Sequence, residues 1–263
     1  MPDFSTQRTV FRRLHESGCF VMPNPWDIGT TLYLRKLGFK AVATTSAGFA
    51  FARGLPDSAT VLSRDQVLGH IAEIVSAAAE LSVNADFQSG YAADAEGVAD
   101  SVRCCIETGV AGLSIEDATG DPERPLFDLA EAVDRLRAAR AAIDASGTDM
   151  LLTARAECYL VGHPGPLRES IRRLQAYADA GADVLFAPGS REREDIRAVV
   201  AAAGPKPVNV LMSANTDLHV DDLVEMGVRR IRVGSALARA AWAGYARHRA
   251  KSDRSNLHIY VNF

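Results

Sequence analysis

The stretch GLSIEDATGDPERPLFDLAEAVDRLRAARAAIDASGTDMLLTARA, Gly112 to Ala156, decides how this chain folds. Its opening, Gly112 to Asp117, is a short β-rich run that ends in two acids. Leu126 to Ala145 then carries Ala, Leu, Arg and Glu at helical spacing, and Met150 to Ala156 is a second β-rich run with Arg155 near its end. A helix between two strands is the crossover that parallel strands require, so the stretch reads as a βαβ unit.

The same unit recurs on both sides. Further β-rich runs fall at Phe20 to Met22, Ala41 to Ser46, Ser82 to Phe87, Val184 to Pro188, Pro207 to Met212 and Arg230 to Ser235, making eight with the two above. Helical spacing returns at Arg64 to Glu80, Pro166 to Ala180 and Ala236 to Arg249. Gly38, Gly109, Gly181 and Gly227 each stand between a helical pattern and a strand, where a left-handed cap ends a helix. Eight such units predict a TIM-type (β/α)8 barrel, with a helix at Ser5 to Ser17 plugging its lower end. An open doubly wound sheet fits less well, because no Gly-x-Gly-x-x-Gly follows the first strand.

The 263 residues, 48% hydrophobic and 24% charged, suffice for one barrel, and no Pro/Gly/Ser-rich linker divides them. Residues 1–263 are therefore expected to form one domain with a short C-terminal tail after Lys251. Twenty-nine Lys and Arg against 33 Asp and Glu give a net charge of −4 with no basic patch, which argues against nucleic acid as a partner. No apolar run approaches the ~20 residues that span a bilayer, and Met1 to Gly18 lacks a signal core, so a cytoplasmic protein without a membrane partner is expected. Cys19, Cys104, Cys105 and Cys158 show neither ligand spacing nor disulfide density and are expected reduced.

Barrels of this type place chemistry at the carboxyl ends of their strands. Those ends hold Asn24 and Asp27, Thr45 and Ser46, Asp86 and Gln88, Glu116 and Asp117, Arg155 and Glu157, Asn209, and Gly234 with Ser235. None of the four lysines, Lys36, Lys40, Lys206 and Lys251, ends a strand, which excludes Schiff-base chemistry. Of the histidines only His163 follows a strand, which argues against a zinc hydrolase. Asp86 and Glu116 offer the oxygen donors that Mg²⁺ or Mn²⁺ prefers, against the plainer possibility that each caps the next helix. Arg155 suits a bidentate grip on a substrate carboxylate, with Glu157 as resting partner; the competing account is an Arg155–Glu116 ion pair. Thr44 to Gly48 brings small side chains and backbone amides to an anionic oxygen, and Gly234 to Leu237 suits either phosphate or close helix packing.

Taken in order, Val21 to Asp27, Thr45 to Gly48 with Gly54 to Asp57, Val83 to Asp86, Gly112 to Asp117, Leu152 to Arg155 and Gly181 to Phe186 resemble the isocitrate lyase/phosphoenolpyruvate mutase superfamily. The resemblance covers most of the chain. It implies a Mg²⁺-dependent enzyme that stabilises a pyruvate-like enolate as a C–C or C–P bond breaks. By it Asp86 and Glu116 match the metal-site acids with Gln88 beside them, and Asp57 is a supporting carboxylate. Arg155 matches the carboxylate clamp, Ser46 with the amides of Ala47 and Gly48 the oxyanion cradle, and Thr45 and Asn209 complete the expected substrate contacts. It also implies a homodimer or homotetramer that exchanges the helix after the eighth strand, here the alanine-rich Ala236 to Tyr245.

Three departures limit the transfer. Gln88 stands where many relatives carry a second acid, which predicts weaker Mg²⁺ binding. The loop Ala118 to Leu126 has neither the Lys-Lys/Arg-Cys-Gly-His segment of isocitrate and methylisocitrate lyases nor the Lys and Asn of the mutases. Ala47 replaces a glycine after the cradle serine. What remains is a lyase acting on a small 2-oxo or 2-hydroxy dicarboxylate, as a decarboxylase or retro-aldol enzyme, with Tyr159, His163 or water as proton donor. The alternatives are a phosphonopyruvate-type C–P enzyme and a barrel that binds a carboxylate metabolite without turnover.

Overall fold

In the computed structural model, which describes residues 3–58, 61–214 and 216–251, alternating strands and helices build one eight-stranded parallel sheet. The strands are β1 (Phe20–Met22), β2 (Ala41–Ala43), β3 (Ser82–Asp86), β4 (Gly112–Glu116), β5 (Leu151–Arg155), β6 (Val184–Phe186), β7 (Val208–Leu211) and β8 (Arg230–Arg232). All eight fall inside the runs read from sequence, β1 with the same bounds and the other seven shortened by one to three residues at ends where the backbone leaves the ladder. The helices among the described residues are α1 (Ser5–Leu14), α2 (Ile28–Lys36), α3 (Ser46–Ala52), α4 (Arg64–Ala78), α5 (Ala95–Glu107), α6 (Leu129–Ala145), α7 (Pro166–Asp179), α8 (Arg193–Ala203), α9 (Val220–Glu225) and α10 (Ala236–Lys251). The tail beyond Lys251, His258 included, lies outside the described residues.

The sheet runs β1-β8-β7-β6-β5-β4-β3-β2, every neighbour parallel, so the two ends of the order are consecutive strands. They meet through Ala43 N–H, which donates to the Pro23 carbonyl at 3.0 Å. Asn24 stitches the seam from above: its amide donates to the Thr44 carbonyl at 2.9 Å, and its Oδ1 accepts from Gly234 N at 2.8 Å. The result is a nearly closed TIM-type barrel.

Strand periodicity sorts the side chains. Val42, Val83, Leu113, Ile115, Leu152, Val208, Val210 and Ile231 point outward and pack under the helices in the main apolar core. Inside the barrel the apolar content is small: Phe11, Met22, Ala41, Ala43, Leu151 and Val184. Phe186 also faces inward at the upper rim, and most other buried residues on the inward-facing positions are polar, among them Asn84, Asp86, Ser114, Thr153, Asn209, Arg230 and Arg232. Helix α1 covers the lower end, as expected, with Phe11 in the lumen and Arg8 donating to the Val110 carbonyl at 3.0 Å.

Gly38, Gly109, Gly181 and Gly227 all have positive φ, so each turns the chain inward as read from sequence. At Gly181, φ +99°, a side chain would also meet Arg140 Cγ at 2.7 Å, so glycine is required twice over. Among the described residues no helix is long and apolar enough to cross a membrane.

Candidate active site

Asp86, Glu116 and Arg155 end three consecutive strands, β3, β4 and β5, on the inward face. Glu116 and Arg155 are register partners, and Asp86 sits opposite Ser114 one strand further on. Their side chains meet at the upper rim. Arg155 Nη1 donates to Asp86 Oδ1 at 2.7 Å and lies 2.9 Å from Glu116 Oε2. On its other edge, Nε and Nη2 reach Glu157 Oε1 at 2.9 and 2.8 Å. One guanidinium is thus shared by three carboxylates, and its planar face lies 5.3 Å from the Phe186 ring centre.

The two readings of Arg155 left open by the sequence are joined here: the Glu157 partnership and the Glu116 ion pair are both present. Neither Asp86 nor Glu116 caps the helix that follows its strand. Asp94 caps α5 by accepting from Gly97 N at 2.9 Å, and Asp128 occupies the N-cap of α6.

The electrostatics of the three acids differ. Burial raises the Asp86 carboxyl, but Arg155, Arg232 and two hydrogen bonds from Ser46 outweigh it and hold the group below the ordinary range. Glu116 has fewer donors; burial, with repulsion from Glu157, Asp86 and Asp117, overcomes Arg155 and pushes it up to about 8. Asp57 is raised by burial and by the charge of Asp86, against the pull of Arg239 and Arg155.

These side chains face a cavity of about 500 Å³ at the barrel mouth, lined also by Thr45, Ser46, Ala47, Gln88, Arg232, Ser235 and Arg239. Asp57, Asp86, Gln88 and Glu116 present only hard oxygen donors to it, besides the Gln88 amide nitrogen. Four lining carboxylates, counting Glu157, face three guanidiniums, Arg155, Arg232 and Arg239, an excess of one negative charge with every acid ionised. That donor chemistry and that excess suit a divalent cation such as Mg²⁺ or Mn²⁺. Among the described residues no three His, Cys, Asp or Glu side chains form a preassembled cage. A cation here would be held mainly by Asp86 and Glu116, with Asp57 and Gln88 acting through water, as Mg²⁺ commonly is. Gln88 itself has φ +43°, an uncommon conformation for a non-glycine residue, while its carbonyl accepts from Glu116 N at 2.9 Å.

The expected cradle is only partly available. Ser46 and Ala47 line the cavity at the start of α3, but Ser46 N and Oγ both donate to Asp86 Oδ2, at 3.1 and 3.0 Å. The Gly48 amide donates at 3.1 Å to Thr45 Oγ1, which caps α3, so Gly48 is removed from the expected substrate contacts. Thr45 lines the cavity with that hydroxyl already engaged.

Three further expected residues do not line the cavity. Asn209 lies lower in the lumen, where its Oδ1 accepts from Arg230 Nε at 2.8 Å. Tyr159 turns outward and donates to Asp195 Oδ2 on α8 at 2.8 Å. His163 sits in the turn before α7 with its Nδ1 buried and without a hydrogen-bond partner among the described residues. A strand-end position in sequence places a residue near the rim, yet the loop that follows decides where its side chain goes.

Sequence reading missed Arg232 and Arg239. Arg232 ends β8 on the inward face, 3.6 Å from Asp86 and donating to the Thr44 carbonyl at 3.1 Å. The signal was present: Arg230-Ile231-Arg232 alternates with period two, so both arginines had to face the lumen once Ile231 faced the core. Arg239 sits in the first turn of α10, and no strand rule reaches it.

A family model described as phosphoenolpyruvate phosphomutase matches residues 11–252, nearly all of the barrel just described. The chain belongs to that family. It is therefore an enzyme of the isocitrate lyase/phosphoenolpyruvate mutase superfamily, which agrees with the resemblance read from its strand ends. A crystal structure from Burkholderia cenocepacia J2315, provisionally assigned as a lyase/mutase, shares 44% identity and superposes with a TM-score of 0.91, covering 96% of this chain and 89% of that one. An uncharacterized Mycobacterium tuberculosis protein is 31% identical over 251 residues, covering 94% of this chain and 90% of its own length. The oxaloacetate decarboxylase of Pseudomonas syringae pv. tomato is 31% identical over 240 residues, covering 87% of this chain and 79% of its own. The relatives thus include a 2-methylisocitrate lyase and an oxaloacetate decarboxylase.

Proposed function

We propose that this enzyme is a Mg²⁺- or Mn²⁺-dependent lyase that cleaves a C–C bond of a small 2-oxo or 2-hydroxy dicarboxylate through a pyruvate enolate. The observation that carries this reading is the acid-rich cluster of Asp86, Glu116 and Glu157 around Arg155, open to a polar cavity at the carboxyl end of the barrel. The oxaloacetate decarboxylase among the relatives acts on a 2-oxo dicarboxylate and supports that substrate class.

Asp86 and Glu116 would hold the cation. When bound, it supplies electrophilic stabilisation of charge that develops on the C2 oxygen. Arg155 takes the substrate's C1 carboxylate by exchanging one of its three acidic partners for it. Ser46 and the Ala47 amide stand where the C2 oxygen gains charge, Ser46 by releasing Asp86. In the decarboxylase form the C3–C4 bond breaks, C4 leaves as carbon dioxide, and the electron pair becomes the C2–C3 double bond of the enolate. C3 then takes a proton. With Tyr159 held by Asp195 and His163 away from the cavity, water entering by the open mouth is the donor.

The same reading includes self-association as a homodimer or homotetramer through α10, which exposes Leu237, Trp242 and Tyr245. Sedimentation at the mass of one chain would overturn this part.

Calorimetric titration with oxalate, a planar mimic of the enolate, tests the site with and without Mg²⁺. Metal-dependent binding that Asp86→Ala abolishes is the expected result. Absence of binding under both conditions would overturn the lyase reading.

A further inference from the structure

Three arginines line the cavity, and they differ in what their N–H groups are doing. Arg155 is fully committed to Asp86, Glu116 and Glu157. Arg232 is buried, with Nη2 on the Thr44 carbonyl at 3.1 Å and Nη1 3.5 Å from Ser114 Oγ. Arg239 is exposed, and its Nε alone is used, donating to Ser235 Oγ at 3.0 Å. Neither of its Nη groups meets a hydrogen-bond acceptor or a carboxylate among the described residues.

The side chain is nevertheless braced. Ser235 lies one helical turn before Arg239 and fixes one edge of the guanidinium, while its face stacks 4.9 Å from the Phe51 ring centre on α3. The far side of Phe51 and Arg239 borders a shallow apolar groove with Leu55 and Trp242 that offers the guanidinium no anion, while on the cavity side Asp57 acts on it without forming an ion pair. A planar fork with two free N–H₂ ends, held from rotating, matches a carboxylate bidentately. A substrate whose C1 carboxylate and C2 oxygen occupy Arg155 and Ser46 has one more anionic group to satisfy if it is a dicarboxylate.

We propose that Arg239, braced by Ser235 and Phe51, binds the distal carboxylate of the substrate and sets the preference for dicarboxylates over monocarboxylates. This rests on the lyase reading of the cavity. It also gives the Gly234 to Leu237 segment a role: neither phosphate nor packing alone, but the support of the arginine that follows it.

Malate and lactate are a suitable pair of probes, being 2-hydroxy acids that differ by the distal carboxylate. Calorimetry on the Mg²⁺-loaded protein should show malate bound at least about tenfold more tightly than lactate, the scale of one charge-assisted hydrogen-bond pair. Arg239→Gln should bring the two affinities within about twofold while leaving oxalate and lactate binding and the thermal midpoint unchanged. Arg239→Lys should retain part of the preference. An unchanged malate-to-lactate ratio in Arg239→Gln overturns the proposal while leaving the lyase reading intact, and so does equal weakening of both ligands. Failure of the wild-type protein to bind oxalate, malate or lactate overturns the lyase reading and this proposal together.

Discussion

Two arginines stand on the inner wall of one barrel, Arg155 at its upper rim and Arg230 in its lower half, and the protein treats them oppositely. Arg155 is surrounded by three carboxylates, more negative charge than it can neutralise. Arg230 is fully buried with no carboxylate in reach among the described residues; Asn209 Oδ1, Thr153 Oγ1 and His15 Nε2 accept its N–H groups at 2.8, 3.0 and 3.2 Å. Burial, with repulsion from Arg232, pulls Arg230 well below its ordinary affinity for a proton. Neutral acceptors satisfy geometry without supplying charge, so Arg230 fixes the interior and offers nothing to a ligand. The upper cluster leaves unbalanced charge facing a cavity, which is how a site that captures ions and moves electrons must be built.

Breaking the upper member should have the largest effect. Arg155→Met is expected to lower kcat for Mg²⁺-dependent cleavage of a 2-oxo dicarboxylate such as oxaloacetate by about 10³-fold, measured in steady state. Activity within tenfold of wild type would place the chemistry elsewhere. The lower member should behave in reverse: Arg230→Ala leaves three unpaired groups and a void, costing about 3 kcal/mol in urea unfolding, with kcat unchanged.

Acid sharpens the contrast. His15, which accepts from Arg230, is pushed down to about 3 by burial first and then by the charge of Arg230, while its contact with the Phe11 carbonyl acts the other way and Arg12 adds to the repulsion. Unfolded, the imidazole takes a proton near 6.5, so below that pH the unfolded state binds more protons and stability falls as pH drops. His70, pushed down to about 4 by burial and Arg53, contributes in the same direction. Each should account for about 2 kcal/mol lost between pH 6.5 and 5, and His15→Gln should remove about half of that slope in urea unfolding. The smallest effect is expected from adding to the acid excess: Gln88→Glu should tighten Mg²⁺ binding about tenfold by calorimetry, and equal affinities would refute it.

Much of this was legible before any coordinates. The eight strands, the plugging helix and the four inward-turning glycines follow from local pattern, because periodicity and backbone sterics act over a few residues. The strand-end rule likewise brought Asp86, Glu116, Arg155 and Ser46 to one rim. It failed at Asn209, Tyr159 and His163, which share the rim's address but turn to Arg230, to Asp195 and into their own loop. It also could not see that Thr45 would spend the Gly48 amide on a helix cap.

The sequence by itself determined the barrel, the inward or outward face of each strand residue and the stock of oxygen donors at the mouth. Only the tertiary structure decided who shares a charge with whom among the described residues: that Arg155 would hold three acids, that Arg230 would hold none, and that Arg239 would keep two N–H₂ groups unspent. The reason is physical. Alternation is encoded between neighbours in the chain, whereas pairing across the lumen depends on the stagger of eight closed strands and on how much water each group loses, and those quantities exist only once the barrel has closed.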